Sequence, residues 1–431
     1  MPARRPYRRA RPRRRIRGAV TGVLALAAVA SLAAGCGTRP AVDPSHTLPT
    51  PAHRSLAHAT SAPAAAATTA PATADPAPAA VRSCPDVMLA RMTEAQRIGQ
   101  LFLVGLPGNQ VRGPVAAAIT AHHYGSAIFG ANSTGGVAGA RQVASAVQAL
   151  AGPATAGVKF FVAANQEGGE VQALTGPGIS SIPPALSQGS AHVSTLRKRA
   201  RIWGDQLRAA GVNLNLAPVL DVVPPGTDAG NAPIGALQRE YGHDPAIVAS
   251  HGVAFLHGMA GAGVATSAKH FPGLGRVQGN TDFTSSVVDS STTAGDPYLQ
   301  TYQAAIDAGV PLVMVALATY TRIDPRHPAV FSATIMDGLL RSRMKFRGTI
   351  VSDDMGAAAA VAGVSPAARA VDFIAAGGDL ITTESLPAAG VMDAALLRRA
   401  GADRDFRAQV DSAARHVLQT KQAYGLLPCS K

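Results

Sequence analysis

Gly263-Val264-Ala265-Thr266-Ser267-Ala268-Lys269-His270-Phe271-Pro272-Gly273 is the stretch that decides the fold. A β-rich apolar run ends in a Lys-His pair, and a Pro-Gly turn follows at once. A second run of the same build lies downstream, where Gly348-Thr349-Ile350-Val351 leads into Ser352-Asp353-Asp354-Met355. In a barrel of alternating strands and helices, residues just past the strand ends face one shared mouth. The two runs therefore predict a cationic pair and a carboxylate pair meeting there.

Outward from these runs, short β-branched or apolar segments closed by Gly, Asn, Asp or His recur at 101–106, 126–130, 159–165, 213–222, 264–270, 312–320, 348–353 and 379–383. Helix-compatible segments separate most of them. Over 193–210, Leu196, Ala200, Trp203, Leu207 and Ala210 repeat at helical spacing, with charges on the other face and Gly211 as the stop. Asp296-Pro297 and Ser365-Pro366 each read as a helix cap followed by proline, and Gly309 and Gly377 close the helices they open. The alternation predicts a parallel α/β fold, and eight strands favour a closed (β/α)8 TIM-like barrel over an open doubly wound sheet. Gly273-Leu274-Gly275 lacks the third glycine of a dinucleotide fingerprint and precedes no evident helix, so a Rossmann reading is rejected.

The charge of +13 on 431 residues suggests nucleic acid until its distribution is considered. Nine arginines crowd the first seventeen residues with no acid before Asp43, which leaves about +4 for the rest. The uncharged run 18–34 follows, and a basic start before an apolar run with small residues after it describes a secretory signal. It ends Leu32-Ala33-Ala34-Gly35-Cys36, resembling a bacterial lipobox, with Ala33 where Leu is usual and Cys36 as the lipidation site. An uncleaved anchor helix is the alternative, and a basic arm for nucleic acid is the reading set aside. Residues 36–83 are an Ala/Pro/Thr-rich stretch too poor in large apolar side chains to form a core, and are expected to be a flexible linker. The expected organisation is thus a signal at 1–35, this linker, and a single catalytic barrel at 84–431. Cys84 and Cys429 bracket the barrel and would form a disulfide if its termini meet; two free thiols are the alternative. Three cysteines this far apart suggest no metal site.

Cleaving a glycosidic bond usually takes two carboxyl-type groups. Asp353 and Asp354 are adjacent, so at most one of them is expected to point at a substrate, and taken alone such a pair after a strand is more often a helix N-cap. Lys269 and His270 offer donors suited to sugar hydroxyls. Asn165-Gln166-Glu167-Gly168-Gly169 follows the third strand and Pro218-Val219-Leu220-Asp221 the fourth. Polar clusters at several strand ends argue for a site where any one alone would not.

With these motifs in place, the sequence resembles the family 3 glycoside hydrolases, in particular their single-domain β-N-acetylglucosaminidase branch. The likeness runs from Met92-Thr93-Glu94-Ala95-Gln96-Arg97-Ile98-Gly99-Gln100-Leu101-Phe102 through Gln166–Gly169, Ala217–Asp221, Arg239-Glu240-Tyr241-Gly242 and Lys269–Gly273 to Ser352–Met355. It implies that Asp353 is the nucleophile of a retaining exo-glycosidase acting on terminal β-linked N-acetylglucosamine of cell-wall fragments. It implies further that Lys269, His270 and Arg239 hold the sugar, with Asn165 at the position of a family aspartate, and that no metal or organic cofactor takes part. The protein would be an exported monomer facing the cell wall, touching the membrane only through its lipid anchor, with a carbohydrate and no nucleic acid as partner.

The departures fall around the sugar site. The branch carries an Asp-x-His dyad after its Lys-His-Phe-Pro-Gly run, and here Asp282-Phe283-Thr284 puts threonine in place of the histidine. General acid/base help is worth roughly 10²–10⁴-fold, and threonine has no pKa suited to it. Asp282 is the substitute acid. Asn165 replaces an aspartate, and Glu170 and Ala173 stand where arginines are common. The alternative reading is a weak or inactive glycan- or muropeptide-binding lipoprotein; a third is family 3 activity on another sugar. Retention of Asp353 favours the hydrolase, because a pure binder has no evident need of a nucleophile.

Overall fold

The computed structural model describes residues 83–429. The expected signal at 1–35, the lipidation site Cys36 and all of the expected linker except Ser83 lie outside the described residues; Ser83 already caps the first helix.

Eight parallel strands follow one another around a barrel: β1 (Phe102–Leu106), β2 (Ser126–Phe129), β3 (Phe161–Ala164), β4 (Leu214–Asn215), β5 (Ala265–Phe271), β6 (Leu312–Val315), β7 (Thr349–Ser352) and β8 (Ile381–Thr383). Each pairs with the next, and β8 pairs with β1 at Phe102–Ile381. The ring closes between β7 and β8, where the Ser352 amide donates to Leu380 O at 2.9 Å and a parallel bridge joins Val351 to Leu380. The fold is a (β/α)8 TIM-like barrel.

Strand alternation builds the core. Leu103, Ile128, Phe161, Ala163, Leu214, Ala265, Leu312, Met314 and Val351 fill the barrel, while Phe102, Val104, Val162 and Ala164 face the surrounding helices. Val417 and Leu426 from the C-terminal segment join the inner cluster. Outside, α1 (Val193–Ala209) buries Leu196, Ala200, Trp203, Gly204 and Leu207 as its spacing requires. Asp296 and Ser365 cap the helical segments that follow them, through the amides of Tyr298 and Ala368. Gly309 and Gly377 end those segments at φ of 80° and 97°, a backbone region open to glycine at little cost.

Two expected strands are corrected. The segment 213–222 pairs regularly only over Leu214–Asn215, because Pro218 brings no amide hydrogen and Asp221 turns to bind the loop after β5. The segment 312–320 splits after Val315. Its second part, Thr319–Tyr320, instead pairs with Val288–Asp289, inside the loop that leaves β5. Cys84 and Cys429 are joined, with their Cα atoms 5.9 Å apart.

Candidate active site

The C-terminal ends of the strands open into a cleft of about 530 Å³, and Asn165, Arg239, Lys269, His270, Asp282 and Asp353 all line it. They arrive from the end of β3, the loop after β4, β5 itself, the loop after β5 and the end of β7. The strand ends thus bring together every cleft residue singled out in the sequence.

A buried ionic cluster forms one wall. Glu167, only 4 % exposed, accepts from Arg239 Nε and Nη2 at 2.8 Å each and pairs with Lys269 Nζ at 2.7 Å. Burial alone would raise the Glu167 carboxyl, but the guanidinium and the ammonium outweigh it and hold the pKa at about 2. Lys269 Nζ also donates to Asn165 Oδ1 at 2.9 Å. Asn165 therefore supplies a neutral acceptor where a carboxylate would have added a second negative charge beside Lys269.

A second buried carboxylate orients His270. Asp221 is fully buried and accepts from the His270 amide, His270 Nδ1, the Leu274 amide and the Tyr302 hydroxyl, all within 3.1 Å. Desolvation pushes its carboxyl up, yet His270 and these amides bring it below the ordinary value. An ionised carboxylate only accepts, so His270 Nδ1 carries a proton and Nε2 remains for another partner.

The opposite wall is acidic. Asp354 is consumed by structure: its Oδ1 accepts from the amides of Gly356 and Glu384, and its Oδ2 from that of Ala357. Asp353 accepts only the Asp354 amide, has no ion-pair partner among the described residues, and is fixed by its own amide donating to Val315 O at 3.1 Å. Of the adjacent pair, Asp353 is the one available to a ligand. Asp282 sits exposed at the rim, and its loop is tied to the segment beyond Asp353 by the amides of Ala359 and Ala360, which donate to Asp282 O and Thr281 O. Desolvation and then the Asp353 charge raise its carboxyl above the ordinary value. Thr284 is exposed and does not line the cleft.

Glu384 was missed in the sequence. It stands one residue beyond β8, lines the cleft, and is pushed up to about 7 by desolvation and then by Asp354, Asp282 and Asp353. Its signal was a carboxylate just past the last strand, weakened by the absence of a polar cluster around it.

A closed barrel with its polar groups gathered at the strands' C-terminal ends has the architecture of a catalytic (β/α)8 domain. The glycosyl hydrolase family 3 N-terminal domain matches residues 93–420, and the chain belongs to that family. A β-N-acetylhexosaminidase from Beutenbergia cavernae is similar at 47 % identity and a TM-score of 0.75, over 77 % of this chain and 98 % of that one. A family 3 β-N-acetylglucosaminidase from Paenibacillus is similar at 27 % identity and a TM-score of 0.69, over 78 % of this chain and 63 % of that one. Among curated relatives, a β-hexosaminidase from Xanthomonas oryzae is 34 % identical over 237 residues, which are 51 % of this chain and 66 % of the relative. The match to a β-hexosaminidase from Xylella fastidiosa spans 59 % of that relative.

Proposed function

We propose that this protein is a retaining exo-glycosidase that removes terminal β-linked N-acetylglucosamine from cell-wall fragments. The observation that carries the reading is the division of labour in the Asp pair: Asp354 is held by three backbone amides while Asp353 is left to the cleft. In the first step an Asp353 carboxylate oxygen attacks the anomeric carbon as Asp282, in its protonated form, gives its proton to the departing oxygen. In the second, Asp282 takes a proton from water, the hydroxide oxygen bonds to the anomeric carbon, and Asp353 leaves as a carboxylate. Lys269, Arg239, His270 Nε2 and Asn165 supply the polar contacts that hold the sugar. The reaction as written is completed by these side chains and water, without a cofactor. The relatives named as β-hexosaminidases support the sugar assignment. The arginine-rich start and Cys36 support export and lipid anchoring on the outer face of the cytoplasmic membrane.

The test is release of an aryl alcohol from an aryl 2-acetamido-2-deoxy-β-glucoside, and of sugar from a natural disaccharide fragment, beside Asp353→Ala. Turnover by the wild type and none by the variant supports the reading. Binding of the fragment with no turnover of either substrate overturns it in favour of a glycan-binding lipoprotein.

A further inference from the structure

Outside the cleft, Asp228, Glu240 and His243 form a cluster whose carboxylate oxygens are short of hydrogen-bond partners among the described residues. Glu240 is fully buried, yet neither carboxylate oxygen has a hydrogen-bond partner among the described residues, and the same holds for Asp228 Oδ1. His243 completes the group: its Nδ1 donates to Val223 O at 3.1 Å and stands 3.7 Å from Asp228 Oδ1. One donor atom from each of Asp228, Glu240 and His243 lies within 4.8 Å of the others. Two carboxylates and an imidazole are thus aimed into one space, and three of the carboxylate oxygens are buried without a hydrogen-bond partner among the described residues. A buried acceptor without a donor is costly, and two facing carboxylates repel as well.

We propose that Asp228, Glu240 and His243 form a binding site for one divalent transition-metal ion of the zinc type. One nitrogen and two oxygen donors are a usual ligand set for such an ion, at bond lengths of about 2.0–2.2 Å, and three protein ligands leave a position for water. Asp228 and His243 are 35 % and 33 % exposed, which gives the ion a route in from solvent, while Glu240 forms the buried floor. The bound ion joins the short turn Asp228–Gly230 to the segment 240–243. Glu240 directly follows Arg239, so the ion also steadies the backbone that presents the guanidinium to Glu167. It lies outside the cleft lining, which contains neither Asp228, Glu240 nor His243, and takes no part in the proposed bond cleavage.

The experiment uses the whole, untagged protein stripped with a chelator and dialysed. Zinc chloride, with manganese and calcium chlorides as comparisons, is titrated by calorimetry, and thermal unfolding is followed with and without the ion. Expected are one tight equivalent of zinc, weaker binding of calcium, and a rise in Tm with zinc, since an ion that binds only the folded state stabilises it. Glu240→Gln weakens that equivalent at least tenfold, as does His243→Gln. The latter replaces a partly exposed residue and carries the test if the buried variant fails to fold. No tight equivalent in the wild type overturns the site and leaves a carboxyl pair sharing a proton. An equivalent unaltered in both variants overturns it equally, since the zinc would then sit elsewhere.

Discussion

Lys269 Nζ stands 2.7 Å from Glu167 Oε1 with both side chains almost fully buried, and Arg239 holds the same carboxylate from a second direction. Two cations lean on one anion at the wall of the cleft. Replacing Glu167 with Gln leaves two buried charges without a counter-ion, and the expected cost is about 3–5 kcal/mol of folding stability, read from urea unfolding.

The same carboxylate sets an acid limit. Its folded pKa of about 2 lies below its unfolded value of roughly 4.3, so its stabilisation is complete above that value and is lost as pH falls towards 2. Unfolding midpoints between pH 5 and pH 2 should fall steeply in the wild type and less steeply in Glu167→Gln.

Proton donation by Asp282 predicts a dependence on the leaving group. Asp282→Asn should slow turnover of a natural disaccharide by roughly 10²–10⁴-fold and affect an activated aryl glycoside much less. Glu384, pushed up to about 7, becomes an anion beside Asp353 and Asp282 only above that pH. Glu384→Gln should therefore remove the change in kcat/KM around pH 7 and leave the more acidic part of the profile unaltered.

Lys421 predicts a second rise of stability with pH, at the alkaline end of the range. It is fully buried, its Nζ donates to Gln100 Oε1 and Gly125 O at 2.7 Å each, and desolvation brings its pKa down to about 7. Between that value and its unfolded value of roughly 10.4 the unfolded chain binds the proton more tightly. Stability from this group therefore rises with pH, by at most about 1.4 kcal/mol per unit. Denaturant curves from pH 7 to 9 should show the rise in the wild type and a flatter line in Lys421→Met.

The Cys84–Cys429 link closes nearly the whole described chain, with a sequence separation of 345. Cys84→Ser with Cys429→Ser should lower stability by about 2–4 kcal/mol without altering the cleft, as measured by unfolding and by turnover in parallel.

The barrel was legible because its strands are short β-branched runs punctuated by Gly, Asn and Asp, and its helices carry caps and a one-sided apolar face. What periodicity could not show was the behaviour of the long excursions beyond the strands. Pairing of Thr319 with Val288 depends on how the loop after β5 folds back, and no local pattern records that. The convergence of Asn165, Lys269, His270 and Asp353 was readable because each ends a strand run, and position past a strand end is itself a spatial statement. Glu384 had that position without neighbouring polar residues. Asp228, Glu240 and His243 sit on a loop with no period at all, so their approach emerges only in three dimensions.

The most direct test of the account is whether Asp353 becomes covalently attached to sugar. An activated aryl 2-acetamido-2-deoxy-β-glucoside is mixed with Asp282→Asn, in which breakdown of the intermediate is slowed, and the reaction is acid-quenched for peptide mass spectrometry. The account predicts one N-acetylhexosaminyl adduct on the peptide carrying Asp353, absent when Asp353→Ala is added to the same variant. Turnover of the glycoside with no adduct at Asp353, or with an adduct at another residue, would contradict it.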